Sequence, residues 1–354
     1  MIESVDVAVI GAGQAGLATS WYLTQAGADH VVFDAGRVAE TWRSRRWDSF
    51  CLVTPNWAVN LPGTEYAGPE PDGFMSLAQL IAFFESWAAS FEPPVMNNTH
   101  VSRLEADSDG RFLLSVGDRQ VRARTVVVAS GSYHKAHRPA GAENLPATIQ
   151  QVLAEDYGSP AKLPPGNVLI VGSGQTGCQL AEELHEAGRK VFIACGRCPW
   201  APRRIAGRDL VWWLVESGFT ERTPDQLPSP AARLVGNPQA TGHGGGHDLN
   251  YRTLHEIGVE LLGRFLDAEG STLHFADDPG RECRLRRCPL GGDQGLHRRV
   301  LYEDRHASAD LRPSSADADQ DANRARRRAR RNRNRHLDER LSTRVRLGRV
   351  SSVR

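Results

Sequence analysis

The 354-residue sequence predicts an α/β protein in which one strand–turn–helix–strand unit is followed by a second copy of itself. Two stretches carry that reading. Val7 to Asp34 runs VAVIGAGQAGLATSWYLTQAGADHVVFD, and Val168 to Arg197 runs VLIVGSGQTGCQLAEELHEAGRKVFIACGR. In each, a short apolar run enters a GxGxxG turn, a helix-period segment follows, and a second apolar run closes the unit. A third observation bounds the fold at its far end. From Pro279 the chain becomes arginine-rich and loses all periodicity.

Each glycine of the first turn has a mechanical reason. Gly11 permits the tight turn, Gly13 lets backbone amides approach a pyrophosphate, and Gly16 lets helix and strand pack closely. Gln14 opens the helix, whose N-terminus faces a diphosphate with partial positive charge. Asp34 ends the second run about 20 residues past the glycines, where a carboxylate accepts hydrogen bonds from a ribose with a free 2′-hydroxyl. The first unit therefore suits the ADP half of FAD or NAD.

The second turn repeats the spacing with Gly172, Gly174 and Gly177, flanked by Gln175 and Thr176. Its second run ends at Ala194-Cys195 with no acid, and Arg197, Arg203 and Arg204 follow. A carboxylate there would repel a 2′-phosphate, whereas guanidinium groups bind it through paired charge-assisted hydrogen bonds. The second unit therefore suits NADPH, and the fold expected is α/β with two Rossmann-like dinucleotide-binding domains, the second inserted in the first.

Between the units, segment 36–56 is dense in arginine and tryptophan, including Trp42, Arg43 and Trp47. Aromatic faces there can cover a flavin or adenine ring. The competing reading is core tryptophans with snorkelling arginines. Ser76 with Gln79 three residues on is a capping-box pattern opening a helix to Phe91. Val101–Glu105, Arg111–Val116 and Gln120–Arg124 alternate like an antiparallel meander. A separate short strand, Thr125–Gly131, ending in the small residues Ser130 and Gly131, would then return to the first sheet and let backbone approach the first nucleotide. Asp209–Gly218 reads as a helix, and Val259–Leu262 and Thr272–Phe275 as strands around a turn at 267–270. Cys195 and Cys198 have CxxC spacing, but after the second strand they would sit beside an adenosine ribose, not a flavin. His243 and His247 have no third ligand nearby in sequence, so no metal is expected.

The motifs GAGQAG (11–16), ETWR (40–43), RWDS (46–49), LVTPN (52–56), VVVASG (126–131), GSGQTG (172–177) and PRR (202–204) together resemble the flavin-containing monooxygenases among two-dinucleotide flavoproteins. The resemblance covers residues 1–278. It implies FAD on Gly11, Gly13, Gly16, Asp34, Trp42 and Arg43, and NADPH on Gly172, Gly174, Gly177 and the arginines. It implies hydride transfer to FAD, then oxygenation by a C4a-peroxyflavin of a small nitrogen, sulfur or ketone substrate, with O2 as co-substrate. Asn56, in the loop near the expected flavin face, is the residue assigned to the reactive ring. A flavoprotein NADPH reductase or oxidase that passes electrons onward without oxygenation, and an inactive truncated remnant, are the alternatives. Those monooxygenases usually carry a linker histidine where this chain has Leu153, and they often show Glu where this chain has Asp34.

Composition sets the remaining bounds. The domains expected are 1–145, 146–278 and a tail at 279–354. No run approaches a membrane span, no basic leader precedes the first strand, and the six cysteines have no framework spacing, so a cytoplasmic protein is expected. The formal charge of +1 hides a step. Residues 1–278 hold 22 Lys+Arg against 32 Asp+Glu, a net of −10, while the tail holds 21 arginines against 10 acids, a net of +11. Only three of the 43 basic residues are lysines, Lys135, Lys162 and Lys190, leaving 40 arginines. That skew fits GC-rich coding DNA, and a shifted frame of such DNA would yield this tail. A nucleic-acid-binding arm and a disordered extension are the other readings, and a nucleic-acid partner is not expected.

Overall fold

A computed structural model describes residues 3–133, 135–196, 198–227, 229, 238–269 and 272–276. Arg197 and the arginine-rich tail lie outside the described residues.

The first unit is built as the pattern predicts. Strand β1 (Glu3–Ile10) leads into helix α1 (Gln14–Gln25) and strand β2 (His30–Phe33). β1 and β2 pair in parallel, with Ile10 opposite Phe33. Alternation along β1 sends Val7 and Val9 into one core and Ala8 into another, the period-two signature of a sheet buried on both faces. Helix α2 (Glu40–Ser44), the short strands β3 (Asn60–Leu61) and β4 (Thr64–Glu65), and helix α3 (Leu77–Ala89) follow. The capping box at α3 is present. Gln79 N donates to Ser76 Oγ at 3.4 Å and Ser76 N to Gln79 Oε1 at 2.9 Å.

Strand β5 (Val95–Met96) joins the far edge of the sheet, and β6 (Val101–Ala106), β7 (Phe112–Val116) and β8 (Arg119–Val128) complete it. The order is β5-β2-β1-β8-β7-β6. Here the structure corrects the sequence reading. The third meander strand and the returning strand are one element, β8, antiparallel to β7 and parallel to β1. Arg124 and Thr125 carry no turn residue between them, so nothing breaks the strand. The meander is thus an extension of the nucleotide sheet.

The second unit comprises β9 (Val168–Val171), α4 (Gln175–Glu186) and β10 (Val191–Ala194). A hairpin follows, β11 (Arg204–Ile205) and β12 (Arg208–Asp209), then α5 (Leu210–Glu216) and α6 (Tyr251–Ile257). Strand β13 (Glu260–Leu262) adds in parallel to β10, giving the order β13-β10-β9. β14 (Phe265–Glu269) pairs antiparallel with β15 (Thr272–Phe275). This is the second correction: Val259–Leu262 belongs to the parallel sheet, and residues 267–269 of the expected 267–270 turn are the end of a strand, Phe265–Glu269, the hairpin partner of 272–275. Acidic Asp267 and Glu269 masked the strand, because both alternate outward to solvent.

Both units lie in one compact body, residues 3–213 and 222–276, and share a hydrophobic core that runs from Leu17, Val32 and Trp87 to Leu184, Ile193 and Leu254. Residues 214–221 belong to a second body, of which they are the described part. They hold the end of α5 and a single turn at Phe219–Glu221. Among the described residues no helix is long and apolar enough to cross a membrane.

Candidate functional site

The two glycine turns are nearly the same object. Gly11 has φ +109° and its amide donates to Phe33 O at 2.7 Å. Gly172 has φ +107° and its amide donates to Ala194 O at 3.2 Å. Only glycine holds that conformation without strain. A Cβ on Gly16 would run into the Gly11 carbonyl oxygen, and one on Gly177 into that of Gly172. Gly13 and Gly174 behave differently: a Cβ on either meets nothing within 4 Å. No side chain caps α1 or α4. The first amides of both helices therefore face open space over a glycine, the arrangement that accepts a phosphate. Val128, at the carboxyl end of β8, is 64% exposed and Val171, at that of β9, is 45% exposed. The carboxyl ends of parallel strands are where α/β sheets take ligands.

Register makes Ala12 equivalent to Ser173 and Asp34 to Cys195. Each unit ties its glycine turn to the end of its second strand, by opposite chemistry. In the first, Ala12 N donates to Asp34 Oδ2 at 2.6 Å and Gly36 N to Asp34 Oδ1 at 2.8 Å. In the second, Gly196 N donates to Ser173 Oγ at 2.8 Å, Ser173 Oγ lies 2.5 Å from Tyr251 Oη, and Tyr251 Oη donates to Gly196 O at 2.8 Å. With Ser173 donating to Tyr251, all three donors are used in a closed circuit of neutral groups. One cross-link carries a charge and the other none. Ser173 and Tyr251 escaped the sequence reading, although aligning the twin turns puts a hydroxyl at Ser173 opposite Ala12.

The arginines part company. The hairpin turns at Ala206 and Gly207, both with positive φ, the two-residue type that I-A-G-R could have signalled. Alternation into that hairpin puts Arg203 inward and Arg204 outward. Arg203 is 2% exposed and pairs through Nε with Asp209 Oδ2 at 2.9 Å. It is therefore an interior residue, whereas the sequence reading places it beside a nucleotide. Burial lowers its pKa, and the Asp209 carboxylate opposes that shift. Arg204 is exposed and forks onto backbone, donating to Gly246 O at 2.8 Å and Gly245 O at 3.0 Å.

Other expected contacts also find structural partners. Trp47 is buried and meets Phe50 edge-on at 5.1 Å, and half-buried Trp42 carries the Arg46 guanidinium 5.0 Å over its ring. Arg43 pairs with Glu85, while its buried Nε has no partner among the described residues. Asn56 is 3% exposed, and its amide donates to Glu70 O at 2.9 Å and accepts from Met75 N at 2.7 Å. That makes it the clamp of loop 70–75. Gln175 pairs with the backbone of Ala240, whose amide donates to it at 3.0 Å. Gln14, Thr176, Ser130 and Gly131 are exposed.

The profile of the pyridine nucleotide-disulphide oxidoreductases matches residues 8–211. The chain belongs to that family. A CzcO-like oxidoreductase of Geobacillus kaustophilus is 37% identical over 224 residues, 62% of each chain, and the CzcO oxidoreductase of Bacillus subtilis 28% over 274 residues, 77% of this chain and 76% of its own. The chain thus spans less than two thirds of the length of the Geobacillus relative. Among solved structures, a double variant of the flavin monooxygenase of Stenotrophomonas maltophilia superposes with a TM-score of 0.58 at 24% identity, covering 78% of this chain and 75% of that one. That likeness shows the fold, and the fold is the one expected from the motifs shared with flavin-containing monooxygenases.

In this family member a titratable cluster flanks α4. His247 Nε2 lies 2.6 Å from Glu182 Oε1, and His243 Nε2 lies 3.2 Å from Glu186 Oε2, so each histidine read from the glycine-rich segment has a carboxylate. Burial raises the pKa of Glu183, opposed by the Ser49 and Tyr157 hydroxyls, and burial also raises that of Tyr157. A carboxyl whose pKa rises on folding stabilises the protein at low pH. That stability is lost as pH climbs from its unfolded value, about 4.3, through its higher folded one. Glu183→Gln should therefore raise the melting temperature at pH 7 and leave it unchanged at pH 4. Thermal denaturation across that range checks this, and a gain equal at both pH values would refute it.

Proposed function

We infer that this chain forms the nucleotide-binding body of an NADPH-dependent FAD monooxygenase acting on a small organic nitrogen, sulfur or ketone compound. The observation that carries the reading is the pair of opposite cross-links, a carboxylate at the first turn and a neutral hydroxyl circuit at the second. The site fits both groups. Open space stands over Gly13 and Gly174, the helix amides above them are uncapped, and Arg43 keeps a buried donor in reserve.

FAD would rest on Gly11, Gly13, Gln14 and Gly16, with the remaining lone pairs of Asp34 toward the ribose, Ser130 and Gly131 at the rim, and Arg43 beside it. The tryptophans serve it indirectly, by packing the 40–50 segment into a wall. NADPH would rest on Gly172, Gly174, Thr176 and Gly177, and its 2′-phosphate would draw on Arg197 and exposed Arg204. Asp34 and Ser173 hold the two turns in shape, so each diphosphate meets preorganised amides. Bound FAD supplies the redox chemistry, accepting hydride from NADPH and delivering electrons to O2.

The test uses the purified chain, its released flavin, and anaerobic reduction by NADPH and NADH. A yellow protein reduced with at least about tenfold preference for NADPH, near 1.4 kcal/mol, is expected. Aerobic turnover with thioether and ketone probes should then yield oxygenated product. Hydrogen peroxide without product would make it a reductase or oxidase, and a colourless chain would overturn the reading.

A further inference from the structure

Arg203 belongs by sequence to the second unit, yet its side chain also reaches Val53 and Phe74 of the first. Its Nη1 donates to Val53 O at 2.8 Å, and its guanidinium lies 4.4 Å from the centre of the Phe74 ring. From its own side it is held by Asp209 through Nε and by Asp248 Oδ1, which accepts from its backbone amide at 2.6 Å. Its Nη2 is buried and has no partner among the described residues. Burying a charge is costly unless it is paired and fully hydrogen-bonded. An interior guanidinium with an unused donor therefore marks a place where a further group belongs.

The surroundings are shaped to keep it there. Gly246 has φ +81°, and a Cβ on it would press on Phe74 at 2.7 Å and approach Arg203 Nε at 3.3 Å. Gly242 packs against Leu52 O and Phe74 in the same way. The segment that Arg203 grips is pinned from its other side within the first unit. Leu52 N donates to Met75 O at 2.9 Å, and Asn56 ties to Glu70 and Met75. Residues 52–56 are thus strung between a first-unit loop and one second-unit side chain.

We propose that Arg203 is a positioning residue of the first dinucleotide site: it fixes the Leu52–Asn56 segment and lays a buried positive charge and an unused donor beside it. The proposal rests on the reading that this segment faces FAD. A fixed positive charge there favours the electron-rich reduced flavin, so it raises the reduction potential. Its role in choosing NADPH over NADH is nil, contrary to its place in the PRR motif.

The test compares wild type with Arg203→Met and Arg203→Lys in the full chain. Three readouts are taken: amide hydrogen exchange, flavin midpoint potential, and the NADPH/NADH ratio of apparent KM values. In Arg203→Met, exchange over 52–56 should rise, flavin should bind at least about tenfold more weakly, the loss of one charge-assisted bond, and the potential should fall. The KM ratio should stay as in wild type. Arg203→Lys should recover the potential in part, because charge returns, while exchange over 52–56 stays raised, because the fork does not. If Arg203→Met fails to fold, Arg203→Lys carries the comparison. A collapsed KM ratio with unchanged exchange over 52–56 would return Arg203 to the second site and overturn the proposal. If the wild type holds no flavin, the functional reading fails by itself. The exchange comparison then still decides whether Arg203 positions the segment.

Discussion

Gly16→Ala should unfold the first unit, whereas Gly13→Ala should leave it standing and unable to hold its cofactor. The Cβ added at Gly16 strikes the Gly11 carbonyl oxygen, which is backbone. It cannot retreat without disturbing the Gly11 amide bonded to Phe33 O. Overpacking costs about 1–3 kcal/mol where side chains can adjust, so a collision with fixed backbone belongs at or above that range. Against a total stability of about 5–15 kcal/mol, the variant should melt far below wild type or fail to accumulate. Gly13 has φ −78°, which any residue adopts, and open space beyond it. Its alanine variant should keep its stability within about 0.5 kcal/mol. The new methyl would occupy the place where a pyrophosphate approaches the backbone, and FAD affinity should fall roughly 100-fold, near 2.7 kcal/mol. The same contrast is expected between Gly177→Ala and Gly174→Ala, now with NADPH lost and flavin retained. Thermal melts with separate FAD and NADP titrations check all four. A Gly13→Ala protein that binds FAD like wild type would remove the phosphate role from the first turn.

Repetition made most of the fold legible in the sequence. Glycine spacing, apolar runs and the Ser76–Gln79 box are local, and local rules place β1, α1, β9, α4 and α3 correctly. The long strand β8 was split in reading because its two halves serve different neighbours, a distinction local pattern does not carry. The site was less legible, for a physical reason. A residue type states what a side chain can bond to, while the fold decides what it meets first. Asn56, Gln175 and Arg203 have the chemistry of ligand contacts, but in the fold each also holds backbone groups or Asp209, a role the residue type alone does not announce. The circuit of Ser173, Gly196 and Tyr251 joins residues up to 78 positions apart, so only the assembled structure shows it.

Asp34→Ala should cost stability as well as flavin, which separates the structural account from one in which the carboxylate only receives a ribose. Its two oxygens each accept a backbone amide, from Ala12 and Gly36. Bonds to a charged acceptor contribute about 1.5–3 kcal/mol each, and an amide left without an acceptor adds its desolvation penalty. Removing the carboxylate should therefore destabilise the first unit by roughly 3 kcal/mol or more. Asp34→Asn keeps one acceptor but turns an NH2 toward the other amide, so about half that loss is expected. Ser173→Ala is the matched control in the second unit. It opens a circuit of neutral bonds, each worth about 1 kcal/mol, and should destabilise less than Asp34→Ala while weakening NADPH binding and sparing FAD. Denaturant titrations of the three variants, alongside flavin content, order these losses. An Asp34→Ala protein that melts with wild type yet releases its flavin would reduce the carboxylate to a ligand. The charge carried by one cross-link and absent from the other would then no longer account for two different cofactors.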